Sequence, residues 1–351
     1  MSFNNLTIKG YKSIKELELQ LKNINILLGI NGAGKSNLIS FFEMLQFMSI
    51  QQLQNYITEH GGSNSFLYNG IKNTKEIYFS ISRAPYTFHA RLKAATDNRL
   101  YFAQQNLYNY KEQSNLYAAD GLEELKDNGL IKKTNIFNSI GIYHFHDTSE
   151  SSPMKLYCGI NDNIELAKDG RNLAAVLYRI KMKHEKAYKR IVSIIQLVAP
   201  YFQDFVLRNN PLNEDLIQIE WYKKGCDIPF TASQLSDGTL RFICLVVLLC
   251  LPESLAKDII IIDEPELGLH PYAISLLSGL VKKAAVEKQI ILATQSVELI
   301  NEFSADDIIV VNNEDGTSVF SRLNTEDFKD WLEDYSLGEL WTKNIIGGSP
   351  V

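Results

Sequence analysis

The sequence is short of cysteine and of long apolar runs, and each scarcity excludes a class of protein. No two of the four cysteines in 351 residues have the C-x-x-C spacing of a zinc site, and such scattered cysteines suit a reducing compartment. The longest apolar run, Phe242 to Leu251, is far below the ~20 residues that a membrane helix needs. The first residues also lack the layout of a signal peptide. We therefore expect a cytoplasmic protein without a membrane partner.

Positive charge is also in the minority, with 35 basic against 41 acidic residues and a net charge of −6. This balance argues against a histone-like binder of polyanions. A local exception lies in residues 170–198, which have helical spacing and a basic face formed by Lys181, Lys183, Lys186, Lys189 and Arg190. We favour a solvated helix surface as the interpretation of this face, and a DNA contact is the alternative.

Strand and helix patterns alternate along the chain. Residues 3–9, 17–21 and 75–92 alternate apolar and polar side chains, which predicts amphipathic strands, and residues 35–48 have helical spacing. The C-terminal third alternates buried strands with helices, a pattern typical of an α/β fold with a largely parallel sheet. Its strands are predicted at 259–262, 289–293 and 307–311, and its helices at 240–251 and 271–287.

A complete phosphate-loop motif follows the apolar strand Asn25–Leu28. The string GINGAGKS over Gly29–Ser36 matches G-x-x-x-x-G-K-[ST] and opens a helix, as the motif requires. Its glycines let successive N–H groups face phosphates, Lys35 would reach the β- and γ-phosphates, and the Ser36 hydroxyl would bind Mg²⁺. The predicted cofactors are ATP and Mg²⁺. The predicted nucleotide-binding residues here are Gly29, Asn31, Gly32, Ala33, Gly34, Lys35, Ser36 and Asn37.

Two carboxylates end the four-isoleucine strand at 259–262. Asp263 is predicted to hold Mg²⁺, and Glu264 to orient and polarise the attacking water as the catalytic residue. Such a pair standing alone is more often a solvated turn. Because a full phosphate loop precedes it, the catalytic interpretation is favoured.

A third motif, LSDGTLR over Leu235–Arg241, begins with Ser236 placed 27 residues before Asp263. A serine hydroxyl, the backbone N–H of Gly238 and a helix N-terminus together make an anion site. At this point the sequence resembles the ABC-type ATPases of the SMC, RecF and OLD (overcoming lysogenization defect) group. The resemblance implies that Ser236 and Gly238 bind the γ-phosphate held by a second copy, which makes the chain an ATP-dependent homodimer.

The resemblance extends to other parts of the chain. Ile8–Ile14 is similar to the opening of SMC- and RecF-like heads, and Gly268–Pro271 is similar to the segment that follows their catalytic glutamate. Ala293–Ser296 matches the switch position, where Gln295 stands in place of the usual histidine. Gln295, predicted as a second catalytic residue, therefore offers a neutral amide donor instead of a cation.

The resemblance implies a P-loop NTPase with the fold of an ABC-ATPase head, a mixed or parallel sheet and a partly helical middle insertion. The implied organisation is an N-terminal lobe at 1–95 with the P-loop, an insertion at 96–200 that is helical at its C-terminal end, and a C-terminal lobe at 201–351. That last lobe carries the LSDGTLR motif at 235–241, called the signature, the strand that ends in Asp263 and Glu264, called the acidic strand, and the switch position at 293–296. The segment of about 200 residues between the P-loop and the LSDGTLR motif lacks the long coiled coil of SMC proteins.

The implied function is ATP hydrolysis coupled to work on DNA or with a nuclease, in repair or anti-phage defence. About fifty residues follow Gln295, which we expect to be too few for the Toprim nuclease of OLD proteins, so the nuclease would be a separate chain. An ATP-sensing scaffold with little turnover is an alternative because Gln295 is uncharged. A transport ATPase is a weaker alternative, since Ser-Asp-Gly-Thr departs from the Ser-Gly-Gly-Gln of transporters.

One further feature is a pair of histidines, His144 and His146, at alternate positions after an apolar stretch. Alternating histidines could bind a metal. The interpretation we favour is that they form the surface face of a strand, so they are left out of the predicted site.

Overall fold

The computed structural model of the chain describes residues 2–120, 137 and 139–348. The strands are β1 (Asn5–Tyr11), β2 (Ile14–Gln20), β3 (Ile24–Leu28), β4 (Glu76–Arg83), β5 (Tyr86–Ala94), β6 (Leu100–Asn109), β7 (Ser114–Asp120), β8 (Ile140–Tyr143), β9 (Cys158–Gly159), β10 (Phe202–Val206), β11 (Asn209–Asn210), β12 (Asn213–Ile217), β13 (Glu220–Lys223), β14 (Phe230–Thr231), β15 (Ile259–Asp263), β16 (Gln289–Thr294), β17 (Ile308–Glu314) and β18 (Thr317–Arg322). The α-helices are α1 (Lys35–Ser49), α2 (Leu53–Glu59), α3 (Ser63–Phe66), α4 (Leu173–Lys183), α5 (Glu185–Val198), α6 (Asp237–Leu249), α7 (Pro271–Ala284), α8 (Val297–Ile300), α9 (Lys329–Asp334) and α10 (Leu337–Thr342).

The chain divides into two compact units, each assembled from segments that are distant in sequence. Unit 1 consists of Met1–Ile140, Asp258–Ile261 and Glu287–Val351. Unit 2 consists of Gly141–Lys257 and Ile262–Val286.

The first sheet of unit 1 is antiparallel and has the order β2-β1-β4-β5-β6-β7. Its strands alternate buried and exposed residues because one face packs on a core and the other faces water. The core side holds an aromatic cluster in which Phe41 of α1 makes edge contacts with Tyr11 and Phe79, at centroid distances of 5.5 and 5.3 Å. These contacts fix α1, and therefore its N-terminus, against the sheet.

The second sheet of unit 1 is built around β3, which pairs in parallel with both β16 and β17. β18 pairs antiparallel with β17, and β15 lies next to β16. Nearly every residue of β3 and β16 is buried and most are apolar, as expected for strands with both faces covered. In their register Leu28 lies opposite Thr294, so the carboxyl ends of the two strands meet at one edge.

Unit 2 is organised around α6, in which nearly every residue from Thr239 to Leu249 is buried. A helix that is apolar on all sides belongs in a core, and α5 and α7 pack against it. Two small sheets, β10-β13-β14 and β11-β12-β9, complete the unit.

The α/β class with mixed sheets, predicted from the sequence, is confirmed. The helix expected at 170–198 is two helices, α4 and α5, separated at His184. β6 and β7 were not anticipated, and they extend the antiparallel sheet beyond residue 95. The division at 95/96 and 200/201 stays a prediction.

Candidate nucleotide-binding site

The phosphate loop lies in unit 1, between the end of β3 at Leu28 and the start of α1 at Lys35. Gly32 and Gly34 have positive φ angles of 81° and 117°, and the N–H groups of Asn37 and Leu38 donate to the carbonyl of Gly34. The N–H groups of the first helical turn have no acceptor within the helix and can bind an anion. The loop therefore has the backbone of a phosphate site.

Gly34 is required by its surroundings. A Cβ at this position would lie 1.9 Å from the Oγ of Ser318, which is closer than any real contact. That hydroxyl donates to the carbonyl of Ala33 at 2.7 Å and lies 2.6 Å from the Oγ of Ser13, which in turn accepts from the Asn37 amide. The hydroxyl pair Ser13–Ser318 thus supports the loop from beneath, and Asn37, predicted to bind nucleotide, uses its amide in this support.

The side chain of Lys35 lies against the backbone of the phosphate loop. Its Nζ donates to the carbonyls of Gly29 and Ile30 at 2.6 and 3.1 Å, and the residue is 5% exposed. Ser36 and Gly32, by contrast, are exposed. A buried ammonium beside an open cradle of N–H groups and an exposed hydroxyl has the donor set that a nucleotide polyphosphate with Mg²⁺ needs.

The Lys-Ser pair of the opening motif has a structural role. Lys12, with a φ of 47°, donates from Nζ to the Oγ of Ser40 on α1 at 2.9 Å and lies over the ring of Phe66. Burial lowers the pKa of the Lys12 ammonium, and the charge of Glu43 partly offsets this. Lys12 and its neighbour Ser13 therefore hold α1 and the phosphate loop to β1.

Gln295 is exposed and directly follows β16, whose last residue, Thr294, accepts a 3.4 Å hydrogen bond from the N–H of Gly29. Ser296 then caps the short α8 by accepting from Leu299. The switch position and the phosphate loop are therefore neighbours within unit 1. The catalytic role of Gln295 stays a prediction.

The acidic pair lies in unit 2, because the division between the units falls within β15, after Ile261. Asp263 is the last residue of β15, and its side chain is 18% exposed. Glu264 follows with a φ of 43°, in the left-handed region that residues other than glycine seldom adopt. Such backbone strain is concentrated at functional sites. The carboxylate of Asp263 is an oxygen ligand of the kind that Mg²⁺ prefers, and its role as a metal ligand stays a prediction.

The two histidines set aside in the sequence lie beside Asp263, and the prediction that they form a strand surface is wrong. β8 ends at Tyr143, before either histidine. His146 Nε2 lies 2.9 Å from the carbonyl oxygen of Asp263, which requires that it donate, and His144 Nδ1 lies 3.8 Å from Asp263 Oδ2. Only the alternation of histidines pointed to them, and the sequence contains no signal for their contact with Asp263.

The signature turn forms the N-terminus of α6. Ser236 is the N-cap, its Oγ accepting from the N–H of Thr239 at 3.3 Å, and it remains exposed. Gly238 is held closely, since a Cβ there would lie 2.3 Å from the carbonyl oxygen of Gly268. The turn therefore has the predicted cap and helix N-terminus and packs against the segment after Glu264.

Arg241, one turn into α6, connects these parts of unit 2. Its guanidinium donates to the carbonyls of Phe145 and His146, at 3.2 and 2.8 Å, and to the Thr148 hydroxyl. It also donates to the carbonyl of Leu267 at 3.4 Å. The signature helix, the histidine segment and the loop after Glu264 are thereby joined through one side chain, which the sequence motif did not single out.

The basic face expected on residues 170–198 is partly neutralised. Lys181 lies 3.6 Å from Asp204 and over the ring of Tyr188, and Lys189 forms a 2.6 Å ion pair with Glu185. These contacts favour the interpretation of a solvated helix surface.

None of the helices in the described residues is long and apolar enough to cross a membrane.

Comparisons with known proteins agree with this geometry. A family model described as "AAA domain, putative AbiEii toxin, Type IV TA system" matches residues 24–301. The Old nuclease of Escherichia phage P2 is 25% identical over 366 residues, covering 89% of this chain and 59% of the relative. Endonuclease GajA of Bacillus cereus (strain VD045) is 22% identical over 356 residues, covering 89% of this chain and 58% of the relative. The chain thus spans less than two thirds of the length of these relatives.

Solved structures of SMC heads share the fold. One, bound to the C-winged helix domain of ScpA, matches with a TM-score of 0.64 at 18% identity, covering 94% of this chain and all of that one. Another, with an extended coiled coil and bound to the C-terminal domain of ScpA derived from Pyrococcus furiosus, matches with a TM-score of 0.60 at 17% identity, covering 95% and 98%. These likenesses confirm the predicted fold of an ABC-ATPase head. The predicted resemblance to the ABC-type ATPases of the SMC and OLD group is confirmed, and because the family model spans more than half of the sequence, the chain belongs to the family described as "AAA domain, putative AbiEii toxin, Type IV TA system".

Proposed function

We propose that the chain binds and hydrolyses ATP, and that two copies associate head to head to complete each site. The observation that carries the first part is the phosphate loop. Ser318 leaves no space for a side chain at Gly34, and the Lys35 ammonium donates to the loop carbonyl of Gly29. The observation that supports the second part is the exposed signature turn at Ser236, an anion site at the N-terminus of a thirteen-residue helix. A two-fold axis would let each copy supply the half that the other lacks.

Each residue has a distinct role in this proposal. Lys35 leaves the carbonyls of Gly29 and Ile30 and donates to the β- and γ-phosphates, while the N–H groups of the loop hold their oxygens. Ser36 and Asp263 would hold Mg²⁺, and the ion would supply positive charge that neutralises the phosphate oxygens. Glu264 orients the attacking water and accepts its proton.

The remaining contacts act on the γ-phosphate. Gln295 donates its amide N–H from the same copy that holds the nucleotide. The Ser236 hydroxyl and the Gly238 N–H donate from the other copy. Because Ser236 and Gly238 meet the phosphate only when two copies associate, ATP would stabilise the dimer and hydrolysis would release it.

The direct test blocks hydrolysis and measures mass. Glu264→Gln keeps the shape of the side chain and removes the base, so with ATP and Mg²⁺ the mass measured by light scattering should double. Adding Ser236→Arg should reverse the doubling while nucleotide affinity is retained. Lys35→Ala leaves the negative charge of the phosphates uncompensated, so its affinity for nucleotide should fall at least about a hundredfold.

Two results would contradict these proposals separately. Nucleotide affinity that is unchanged in folded Lys35→Ala would remove the phosphate site. If the wild type is already a dimer without nucleotide, small-angle scattering should show an ATP-dependent change of compactness instead. No ATP-dependent change of mass or compactness in Glu264→Gln would leave the phosphate site standing and end the two-copy mechanism.

A second candidate function is an ATP-sensing scaffold with little turnover. The observation that favours it is Gln295, an exposed neutral amide where the related heads usually have histidine. Steady-state phosphate release separates the two candidates, with Glu264→Gln as the blank. Turnover equal to the blank would favour the scaffold.

We further propose that the ATPase acts with a nuclease on DNA, because both curated relatives are named as nucleases. The test is to purify tagged Glu264→Gln with ATP from its source cells and to measure cleavage of plasmid DNA by the copurified material. Lys35→Ala is the matched control, since it should not form the ATP-bound state. Equal cleavage with both variants would contradict the proposal.

A further inference from the structure

Lys155 is a buried lysine beside the signature turn, and none of the motifs accounts for it. It ends the 3-10 turn Pro153–Lys155, and its side chain is only 7% exposed. Its Nζ donates to the carbonyl of Thr148 at 2.5 Å and lies 3.7 Å from the Oδ1 of Asp237. Lysine is seldom buried without a charged partner, which indicates that the ammonium is held here for its charge.

The position of this ammonium is fixed relative to α6. The N–H of Lys155 donates to the carbonyl of Ser152, whose hydroxyl donates to the carbonyl of Asp147 at 2.7 Å. The Thr148 hydroxyl accepts from Arg241 of α6 at 3.1 Å. Lys155 is thus tied to the same helix that presents the signature turn.

The negative charge of Asp237 would repel a phosphate at the signature turn, and the Lys155 ammonium can neutralise that charge. Its carboxylate, with a side chain 62% exposed, stands between Ser236 and Gly238, the two residues proposed to bind phosphate. A carboxylate at an anion site repels the anion. Asp147 is a second carboxylate near Lys155, and its pKa is lowered mainly by hydrogen bonds from Ser149 and to a smaller extent by Lys155.

The charges of the four side chains Arg241, Lys155, Asp237 and Asp147 cancel one another only with Lys155 present. Arg241 and Lys155 are cationic, and Asp237 and Asp147 are anionic. Without Lys155 the turn would be net negative where a phosphate is expected. A fixed, buried cation acts more strongly than an exposed one because water screens it less.

We propose that Lys155 is a positioning residue of the phosphate site: its ammonium neutralises Asp237, so that the signature turn accepts the γ-phosphate of ATP held by a second copy. This inference rests on the proposed two-copy function. Lys155 acts through Asp237, so its importance should depend on whether residue 237 is charged.

The experiment is a double-mutant cycle in the Glu264→Gln background. Light scattering gives the dimer dissociation constant with ATP and Mg²⁺, and a fluorescent ATP analogue gives the affinity of the phosphate loop. Lys155→Met should weaken the dimer about tenfold, as expected for loss of a charge-assisted contact. It should leave the affinity for the analogue unchanged. Lys224→Met, at an exposed lysine of the same unit, is the matched control and should change neither.

The second arm of the cycle distinguishes electrostatics from simple support of the fold. Asp237→Asn added to Lys155→Met should restore the dimer to within about threefold of the parent, because the repelling charge is gone. Asp237→Asn alone keeps the buried lysine in place and should strengthen the dimer, which tests the proposal even if Lys155→Met fails to fold.

Three results would overturn the inference. Lys155→Met could dimerise as well as Lys224→Met. Its defect could persist in the double variant, which would indicate a purely structural role. Asp237→Asn alone could weaken the dimer. In each case the parent still dimerises with ATP and the two-copy mechanism stands, whereas a parent without any ATP-dependent change of mass or compactness ends both that mechanism and this inference.

Discussion

Replacing Ser318 by alanine tests whether the phosphate loop depends on a hydroxyl that supports it from beneath. Ser318 is 1% exposed, donates to the carbonyl of Ala33 and contacts the hydroxyl of Ser13. Alanine keeps the Cβ and removes both hydrogen bonds. Because Ala33 is itself buried, its carbonyl would lose a partner that water cannot easily replace.

The size of the effect follows from these two contacts. A buried acceptor left without its donor costs about 1–3 kcal/mol. If half or more of that cost falls on the loop conformation that binds phosphate, affinity for ATP should fall about tenfold, since about 1.4 kcal/mol corresponds to that factor. The thermal midpoint should fall as well, because the hydrogen bonds also stabilise the free protein.

The assay is titration with a fluorescent ATP analogue, together with thermal unfolding. Ser321→Ala is the matched control, since Ser321 lies on the same strand, β18, and is exposed. Its change should stay within about 0.5 kcal/mol. Equal nucleotide affinities for the Ser318 and Ser321 variants would refute the idea that the hydroxyl organises the loop.

Three other outcomes can be checked. His146→Ala removes the donor to the carbonyl of Asp263, so half-maximal turnover should require up to about tenfold more Mg²⁺, while ATP affinity without metal stays unchanged. Gln295→His should leave steady-state turnover unchanged or raise it, because related heads use histidine there; a collapse with intact binding would show a role specific to glutamine. Charge reversal at Lys186 and Lys189 should lower any DNA affinity by a similar factor on every sequence and reduce its salt dependence, and unchanged binding would remove that face from consideration.

Much of unit 1 near the phosphate loop could be predicted because the information is local. The apolar run of β3, the loop glycines and the helical spacing after Lys35 lie within about twenty-five consecutive residues. β15 and β16 could also be predicted, since strands that are buried on both faces appear in the sequence as continuous apolar runs. The Asp263–Glu264 pair followed from β15 without any knowledge of its neighbours.

What the sequence did not reveal depends on contacts between distant segments. β6 buries the polar residues Gln105 and Asn109, so apolar and polar residues do not alternate cleanly along its sequence, and the strand becomes evident only where it pairs with β5. No sequence pattern marks the contact of His146 with Asp263 or of Lys155 with Asp237, because both depend on segments that lie far apart in the chain. The left-handed backbone of Glu264 was also hidden, since its side chain gives no hint of a positive φ.

The pairing of Ser13 with Ser318 has a consequence for the order in which the protein forms. The two hydroxyls are separated by 305 residues, and Asn25 likewise receives a hydrogen bond from Arg322, 297 residues away. During synthesis the phosphate loop emerges early, yet its support emerges only with β18. Contacts of such long sequence separation form late and slowly. A growing chain should therefore be unable to capture ATP until β18 has left the ribosome, and release of a nucleotide-competent molecule would coincide with closure of the second sheet of unit 1.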